Sequence, residues 1–231
     1  MFKETLLLTI AVLGGTGKEG KGLAYRWAKA GYRVLIGSRS SEKAVTAASE
    51  IMELLEGSSS VVGTTNLDAA EQANIVVLTV PYSAHRDTLE SVKDALKGKI
   101  LVDVTAPLVP PKVSKVQMPP AGSAAQEAKE IVGEGVEVVA AFQNVSHEHL
   151  LGEEDVECDV LVTGTSKKAR EEVIRLVEAA DLKGWDAGPI ENSVVVEGLT
   201  SVLININRIY GSKHSGIKIT GIPAQQPTES T

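Results

Sequence analysis

The chain has 231 residues, 43% hydrophobic and 23% charged, which suits one large domain, or a domain with a small cap, of ordinary globular composition. A formal net charge of −7 excludes a broad nucleic-acid surface, though not a local basic pocket for a phosphate, and no apolar run is long enough to span a bilayer. The single cysteine, Cys158, excludes an internal disulfide, argues against a thiolate metal cluster and fits the cytoplasm.

Met1 to Leu13 carries a lysine and then an apolar run, as a short secretory segment does. The run is brief, Glu4 sits in its charged end, and glycines follow it instead of a small-residue cleavage site. A buried first strand over Leu6–Leu13 is therefore expected. Lys18–Ala30 reads as a helix, with Leu23, Ala24 and Trp27 on one face, and Gly31 stops it. Arg33–Ile36 reads as a second strand and Glu42–Leu55 as a second helix, with Ser40 or Ser41 as its N-cap. Then come a strand at Ser60–Thr64, a short helix at Leu67–Ala73, a strand at Ile75–Val80, a helix at Ser83–Leu96 and a strand at Ile100–Val104. This alternation predicts an α/β fold, a Rossmann-type doubly wound parallel sheet with right-handed crossovers.

Beyond Val104 the pattern loosens. Ala106–Gly122 holds five prolines and cannot be a regular element. A helix is expected at Ser123–Val132, strands at Val136–Phe142 and Asp159–Thr163, and a helix at Lys167–Ala180. The largely apolar Val194–Tyr210 reads as a buried helix or part of a dimer interface, which makes a homodimer a reasonable expectation. Gly221–Thr231 is small, polar and proline-containing, and is expected to be disordered.

Gly15-Thr16-Gly17-Lys18-Glu19-Gly20 fits G-x-G-x-x-G between a strand and a helix. Gly15 permits the tight turn, Gly17 lets the backbone approach a pyrophosphate, and Gly20 lets the helix lie close on the strand. Backbone N–H groups and the positive helix end then face the phosphates, and the Thr16 hydroxyl adds a hydrogen bond. Gly14 reads as an extra glycine that loosens the loop. At the second strand tip an NAD site places an acid, about 20 residues beyond the glycines. Here Gly37-Ser38-Arg39-Ser40-Ser41-Glu42-Lys43 puts no acid at that tip. Ser38, Arg39 and Lys43 instead suit a 2′-phosphate, so NADP is preferred over NAD. Val80-Pro81 closes the fourth strand, where ribose and nicotinamide are expected to lie.

The stretches IAVLGGTGKEGKGLA, VLIGSRSSEKA, IVVLTVPYSAH, APLVP, VVAAFQNVS, DAGPIENS and GSKHSGIK together resemble the NADPH-dependent reductases of coenzyme F-420, the F-420H2:NADP oxidoreductases. The resemblance runs from about Thr9 to Ile219. It implies hydride exchange between NADPH and a deazaflavin, with two small-molecule redox coenzymes as partners. It assigns NADP to Thr16, Gly17, Lys18, Glu19, Ser38, Arg39, Lys43, Val80 and Pro81. It edges the deazaflavin with Val109, Pro110, Asn144, Val145, Ser215, Gly216 and Ile217. The chain departs from the family pattern at Lys18-Glu19, where members often carry Asn-Leu, and at Gln143-Asn144-Val145-Ser146, where they often carry His-Thr-Ile-Pro. Its proline-rich loop is also longer.

No catalytic constellation stands out, and the chemistry explains why none is required. A deazaflavin takes a hydride directly at one ring carbon, so the protein's task is to stack two rings at near-attack distance. Ring protonation falls to solvent or to a hydrogen-bonding neighbour. His147 and His149 lack a third ligand at useful spacing, so no metal is expected. His85 is expected on a helix surface, Cys158 as a small buried side chain, and Lys213, His214 and Lys218 as a basic group that could meet an anionic coenzyme tail. The expected division is an NADP-binding domain over residues 1–150, a small helical or mixed C-terminal lobe over 151–220 and a tail over 221–231. Two other functions share the same first half: NADPH-dependent reduction of a small imine or carbonyl, and a non-catalytic NADP-binding sensor.

Overall fold

The computed structural model describes residues 8–57, 60–152 and 156–222. Leu6 and Leu7 of the expected first strand, and residues 223–231 of the expected tail, lie outside the described residues. The elements run β1 (Thr9–Leu13), α1 (Lys18–Lys29), β2 (Arg33–Ser38), α2 (Ser41–Leu54), β3 (Val61–Thr65), α3 (Asn66–Gln72), β4 (Ile75–Leu78) and α4 (Tyr82–Val92). They continue with β5 (Ile100–Asp103), α5 (Ala124–Val132), β6 (Glu137–Ala140), β7 (Asp159–Gly164), α6 (Lys167–Ala179), β8 (Lys183–Pro189) and α7 (Ser193–Tyr210).

Local chemistry sets these boundaries. Every residue of β1 is buried because both sheet faces are covered, so its apolar run is continuous instead of alternating. Ser40 caps α2, its hydroxyl accepting from Lys43 N at 3.4 Å. Ser123 and Ser166 cap α5 and α6 in the same way. Gly31, at φ +91°, turns the chain out of α1.

One eight-stranded sheet has the order β3-β2-β1-β4-β5-β6-β7-β8. It is parallel through β6, and then departs from the expected all-parallel pattern. β7 pairs antiparallel to β6, and β8 pairs parallel to β7. The 151–220 segment therefore adds two strands and α6 to the same sheet before ending in α7. The sheet separates two apolar layers, with Ile10, Val12, Trp27 and Phe142 in one and Ala11, Leu13, Leu78 and Leu89 in the other. Strand order reverses between β1 and β4, which opens a crevice at their carboxyl ends.

β8 has no counterpart in the sequence expectations. Its KGWDAGP run carries Gly184, Gly188 and Pro189, which erase the strand signature. Gly184 is small for a reason: a Cβ there would come within 3.3 Å of Ile174 and Val177 on α6. α7 is helical as expected but only half buried. Val196, Glu197, Ser201 and Leu203 face inward, while Val195, Val202, Ile206 and Ile209 are exposed.

Candidate functional site

The turn after β1 shares out its glycines differently from the motif's usual reading. Gly14, not Gly15, adopts the left-handed conformation, at φ +71°. A Cβ on Gly14 would strike Val80 Cγ1 at 2.6 Å, so this glycine packs the loop tightly instead of loosening it. Gly15 excludes a side chain because a Cβ would sit 2.7 Å from Val12 O. Gly20 has the expected part, since a Cβ would meet Thr79 Oγ1 at 2.6 Å and Gly15 Cα at 2.7 Å. At Gly17 the nearest atom to a Cβ would be Gly14 O, at 3.6 Å. That side faces open space, as a cradle for an incoming phosphate requires.

A cavity of about 200 Å³ opens at the crevice and brings Thr16, Gly17, Ser38, Arg39, Val80 and Pro81 together. Lys43 lines the adjoining groove, which shares Thr16 with that cavity. Ser38 is buried, and its hydroxyl accepts from Ser40 N at 3.2 Å. Arg39 and Lys43 are exposed, and no ion pair is seen for either among the described residues. A larger cavity, about 660 Å³, lies at the opposite rim beside Ile75, Ile100 and Val136. It lacks the glycine turn and faces the amino ends of the strands, so it is not the dinucleotide crevice.

The fit to NADP is therefore local and physical: an open glycine cradle, then two unpaired cations where NAD sites carry an acid. Replacing Arg39 with alanine is expected to weaken NADPH about 10- to 100-fold and leave NADH nearly unchanged. Fluorescence titration of both dinucleotides checks this.

The same crevice contains Asn66, Thr79, Ala84 and Thr88, none of which was picked out from the sequence. Asn66 Oδ1 accepts from Gly14 N at 3.3 Å and holds the glycine turn against α3. Thr79 Oγ1 donates to Leu13 O at 2.9 Å across the switch point. Both follow strand tips, and polar residues at those tips are the signal that would have found them.

The second wall is made by the chain leaving β6. Gln143, Asn144 and Val145 are buried there. The strap Ser215–Ile217 lies close by, because Cys158 joins the two. Cys158 Sγ lies 3.4 Å from Asn144 O, and a Cβ on Gly216 would touch Cys158 Sγ at 2.8 Å. Ser215 Oγ donates to Leu203 O and Ile217 O accepts from Asp159 N, which pins the strap to α7 and β7. Val109 and Pro110 sit exposed on the proline-rich loop. Lys218 pairs with Glu157 at 3.0 Å and His214 packs edge-on to His149, so the expected basic group is partly engaged.

His85 corrects another expectation. It is not on the surface but fully buried, with Nε2 2.7 Å from Asp103 Oδ2. Asp103 is equally buried, its other oxygen accepting from Thr105 N at 3.0 Å and its carbonyl from Gln143 Nε2 at 2.8 Å. Asp103 thus ties α4 and the β5 tip together through its carboxylate, and the chain leaving β6 through its backbone carbonyl. Burial opposes a charge on His85, but the bond and charge of Asp103, with Glu127, outweigh it and raise its pKa. From α7, Glu197 accepts from Ala124 N and Ala125 N and anchors the start of α5. Burial, then the Asp103 charge, push its carboxyl up to about 8.

Comparison with known proteins agrees with this geometry. The family model for "NADP oxidoreductase coenzyme F420-dependent" matches residues 9–107. An F420-dependent NADP reductase of Methanothermobacter marburgensis is 41% identical over 223 residues, covering 94% of this chain and 100% of that protein. One from Methanocaldococcus jannaschii is 39% identical over 223 residues, covering 93% and 99%. A crystal structure from Arthrobacter sp. FB24 superposes with a TM-score of 0.77 at 26% identity, covering 93% of this chain and 100% of that one. A reductive aminase of Aspergillus terreus, at 14% identity and TM-score 0.61, covers 88% of this chain and 63% of its own and shares the fold alone. Two relatives near 40% identity, matched over almost their entire length, decide the assignment: the chain belongs to the F420-dependent NADP reductase family.

Proposed function

We propose that NADP lies across the β1–β4 switch point, with Gly15, Thr16, Gly17, Lys18 and Glu19 along the pyrophosphate and Ser38, Arg39 and Lys43 around the 2′-phosphate. Val80 and Pro81 pass under the ribose and nicotinamide. The deazaflavin then rests against Val109, Pro110, Asn144, Val145, Ser215, Gly216 and Ile217. In this division residues 1–150 hold NADP and residues 151–220 supply much of the second wall. The protein is an oxidoreductase that passes a hydride between NADPH and coenzyme F-420. The full-length relationship carries this conclusion, and the acid-free β2 tip is the feature of this chain that fits it.

When bound, the coenzymes supply the hydride donor and acceptor. The protein orders them, and backbone and small side chains suit face-to-face stacking. Mixing NADPH with oxidised F-420 in a stopped-flow spectrometer tests the function: the deazaflavin band bleaches as NADPH is consumed. A protein that leaves F-420 untouched while reducing a cyclic imine would favour the alternative function.

No helix among the described residues is long and apolar enough to cross a membrane. We place the protein in the cytoplasm, where a lone buried thiol and two soluble coenzymes are at home. A homodimer is supported by the exposed stripe Val195, Val202, Ile206 and Ile209, spaced along one face of α7. Light scattering is expected to give twice the chain mass, and the Val202→Glu/Ile209→Glu variant half of that.

A further inference from the structure

The groove that joins the crevice at Thr16 lies between α1 and α2 and holds about 470 Å³. Its ionisable lining is Lys21, Glu42, Lys43 and Glu50, two acids beside two lysines. A carboxylate near a 2′-phosphate opposes its binding, so each acid there needs a reason. Glu42 stands in the first turn of α2, where the positive helix end favours a carboxylate. Glu50 lies far from that end. It is paired instead, its Oε2 accepting from Lys21 Nζ at 2.5 Å.

The two helices set this arrangement. Lys43, Thr46 and Glu50 follow i, i+3 and i+7 on one face of α2, and all three line the groove. Lys21 lies on α1 one turn beyond Gly17, whose carbonyl accepts from Lys21 N at 2.9 Å. Along the helix axes, Lys21 stands about 6 Å from the cradle and Glu50 about 10 Å from Lys43. The groove thus has a crevice end, with Thr16, Ser40 and Lys43, and a far end with the Lys21–Glu50 pair. The Thr46 hydroxyl is committed, donating to Glu42 O at 3.0 Å.

The pair is one that exchanges readily. The Lys21 side chain is 27% exposed and that of Glu50 51%, so water screens their attraction and the pair contributes little to stability. A phosphate monoester carries nearly two negative charges at neutral pH, against one on Glu50. Lysine has a flexible stem and three rotatable donors, and can turn from one acceptor to the other without a fixed fork geometry to satisfy.

We infer that Lys21 is a further 2′-phosphate residue, held in reserve on Glu50, and that Glu50 tunes how strongly NADP is preferred over NAD. The inference rests on the 2′-phosphate site proposed above. With NADP bound, Lys21 turns to the phosphate and joins Arg39 and Lys43, and Glu50 is left to solvent. With NAD bound nothing draws Lys21 away, and the pair persists. The groove therefore withholds one positive charge from a nucleotide that lacks the phosphate and releases it to one that carries it.

Two variants that break the same ion pair are expected to act in opposite directions. In calorimetric titrations of the intact protein, Glu50→Gln frees Lys21 and is expected to tighten NADPH about threefold. Lys21→Met leaves Glu50 unpaired in the groove and is expected to weaken NADPH about 10-fold. NADH is expected to stay within about twofold of the wild-type affinity in both variants. Adenosine 2′,5′-bisphosphate, which has the phosphate but no nicotinamide, is expected to follow NADPH. Lys21→Arg, which keeps the charge, is expected to remain within about threefold of wild type. Both effects are expected to shrink at about 1 M salt, because the groups are exposed. A merely structural link between α1 and α2 would move the two variants the same way, or NADPH and NADH together, and either result overturns the inference. If Arg39→Ala weakens NADPH selectively and Lys21→Met does not, this inference falls alone. If neither variant separates NADPH from NADH, the 2′-phosphate site falls with it.

Discussion

Gly17→Val is expected to abolish measurable NADPH binding while leaving the sheet folded. The position sits at φ −74° and ψ 163°, backbone that any residue adopts, so valine introduces no strain. The nearest protein atom to its Cβ, Gly14 O, is 3.6 Å away, an ordinary contact. The side chain projects instead into the space over the α1 N-terminus. Losing two backbone hydrogen bonds to a pyrophosphate costs about 1.5–3 kcal/mol each, or roughly 10²- to 10⁴-fold in affinity. Titration with NADPH beside a thermal melt separates binding from folding: affinity collapses and the melting temperature holds. Gly20→Ala is the contrasting control. Its Cβ meets Thr79 and Gly15 instead of ligand space, so that variant is expected to lose stability first.

The second large effect is on stability. His85→Ala leaves Asp103 buried with its imidazole partner gone, and breaking such a pair costs about 3–5 kcal/mol. For a chain of this length the melting point should fall on the order of 10 °C. Replacing both residues by leucine should cost less, because no unpaired charge remains. The pH dependence has a definite sign. The folded protein holds the His85 pKa above its unfolded value, so the stabilisation is full below about pH 6.5 and is lost as pH rises through the raised folded value. Urea midpoints across that range should show this limb in the wild type and lack it in the alanine variant.

Much of this was legible in the residues. Strands and helices through β5 follow from apolar runs and serine caps, and Ser38 and Arg39 reach the crevice as the missing acid implied. His85 shows where local reasoning stops. It heads an i, i+4, i+7, i+11 series with Leu89, Val92 and Leu96, all buried, so its burial was readable. Its partner was not, because Asp103 arrives from another strand. Gly14 misled because the motif names the next glycine, while the turn sets the conformation. β8 was hidden by residues chosen for close approach to α6 and for the corner before α7 instead of for extended backbone.

The reversal at β7 has an architectural consequence. Val139 and Ala140, at the tip of β6, pair with Gly164 and Thr163, the last residues of β7. The first half of β7 therefore projects past the rim where β1 to β6 end, and carries Asp159 beside Ile217 and Ile219. Parallel α/β sheets commonly leave that rim to loops. Here two strands build a kerb along one side of it, stiffened by ladder hydrogen bonds from β7 to β8. That side of the rim is therefore lined by hydrogen-bonded strand backbone instead of by a loop.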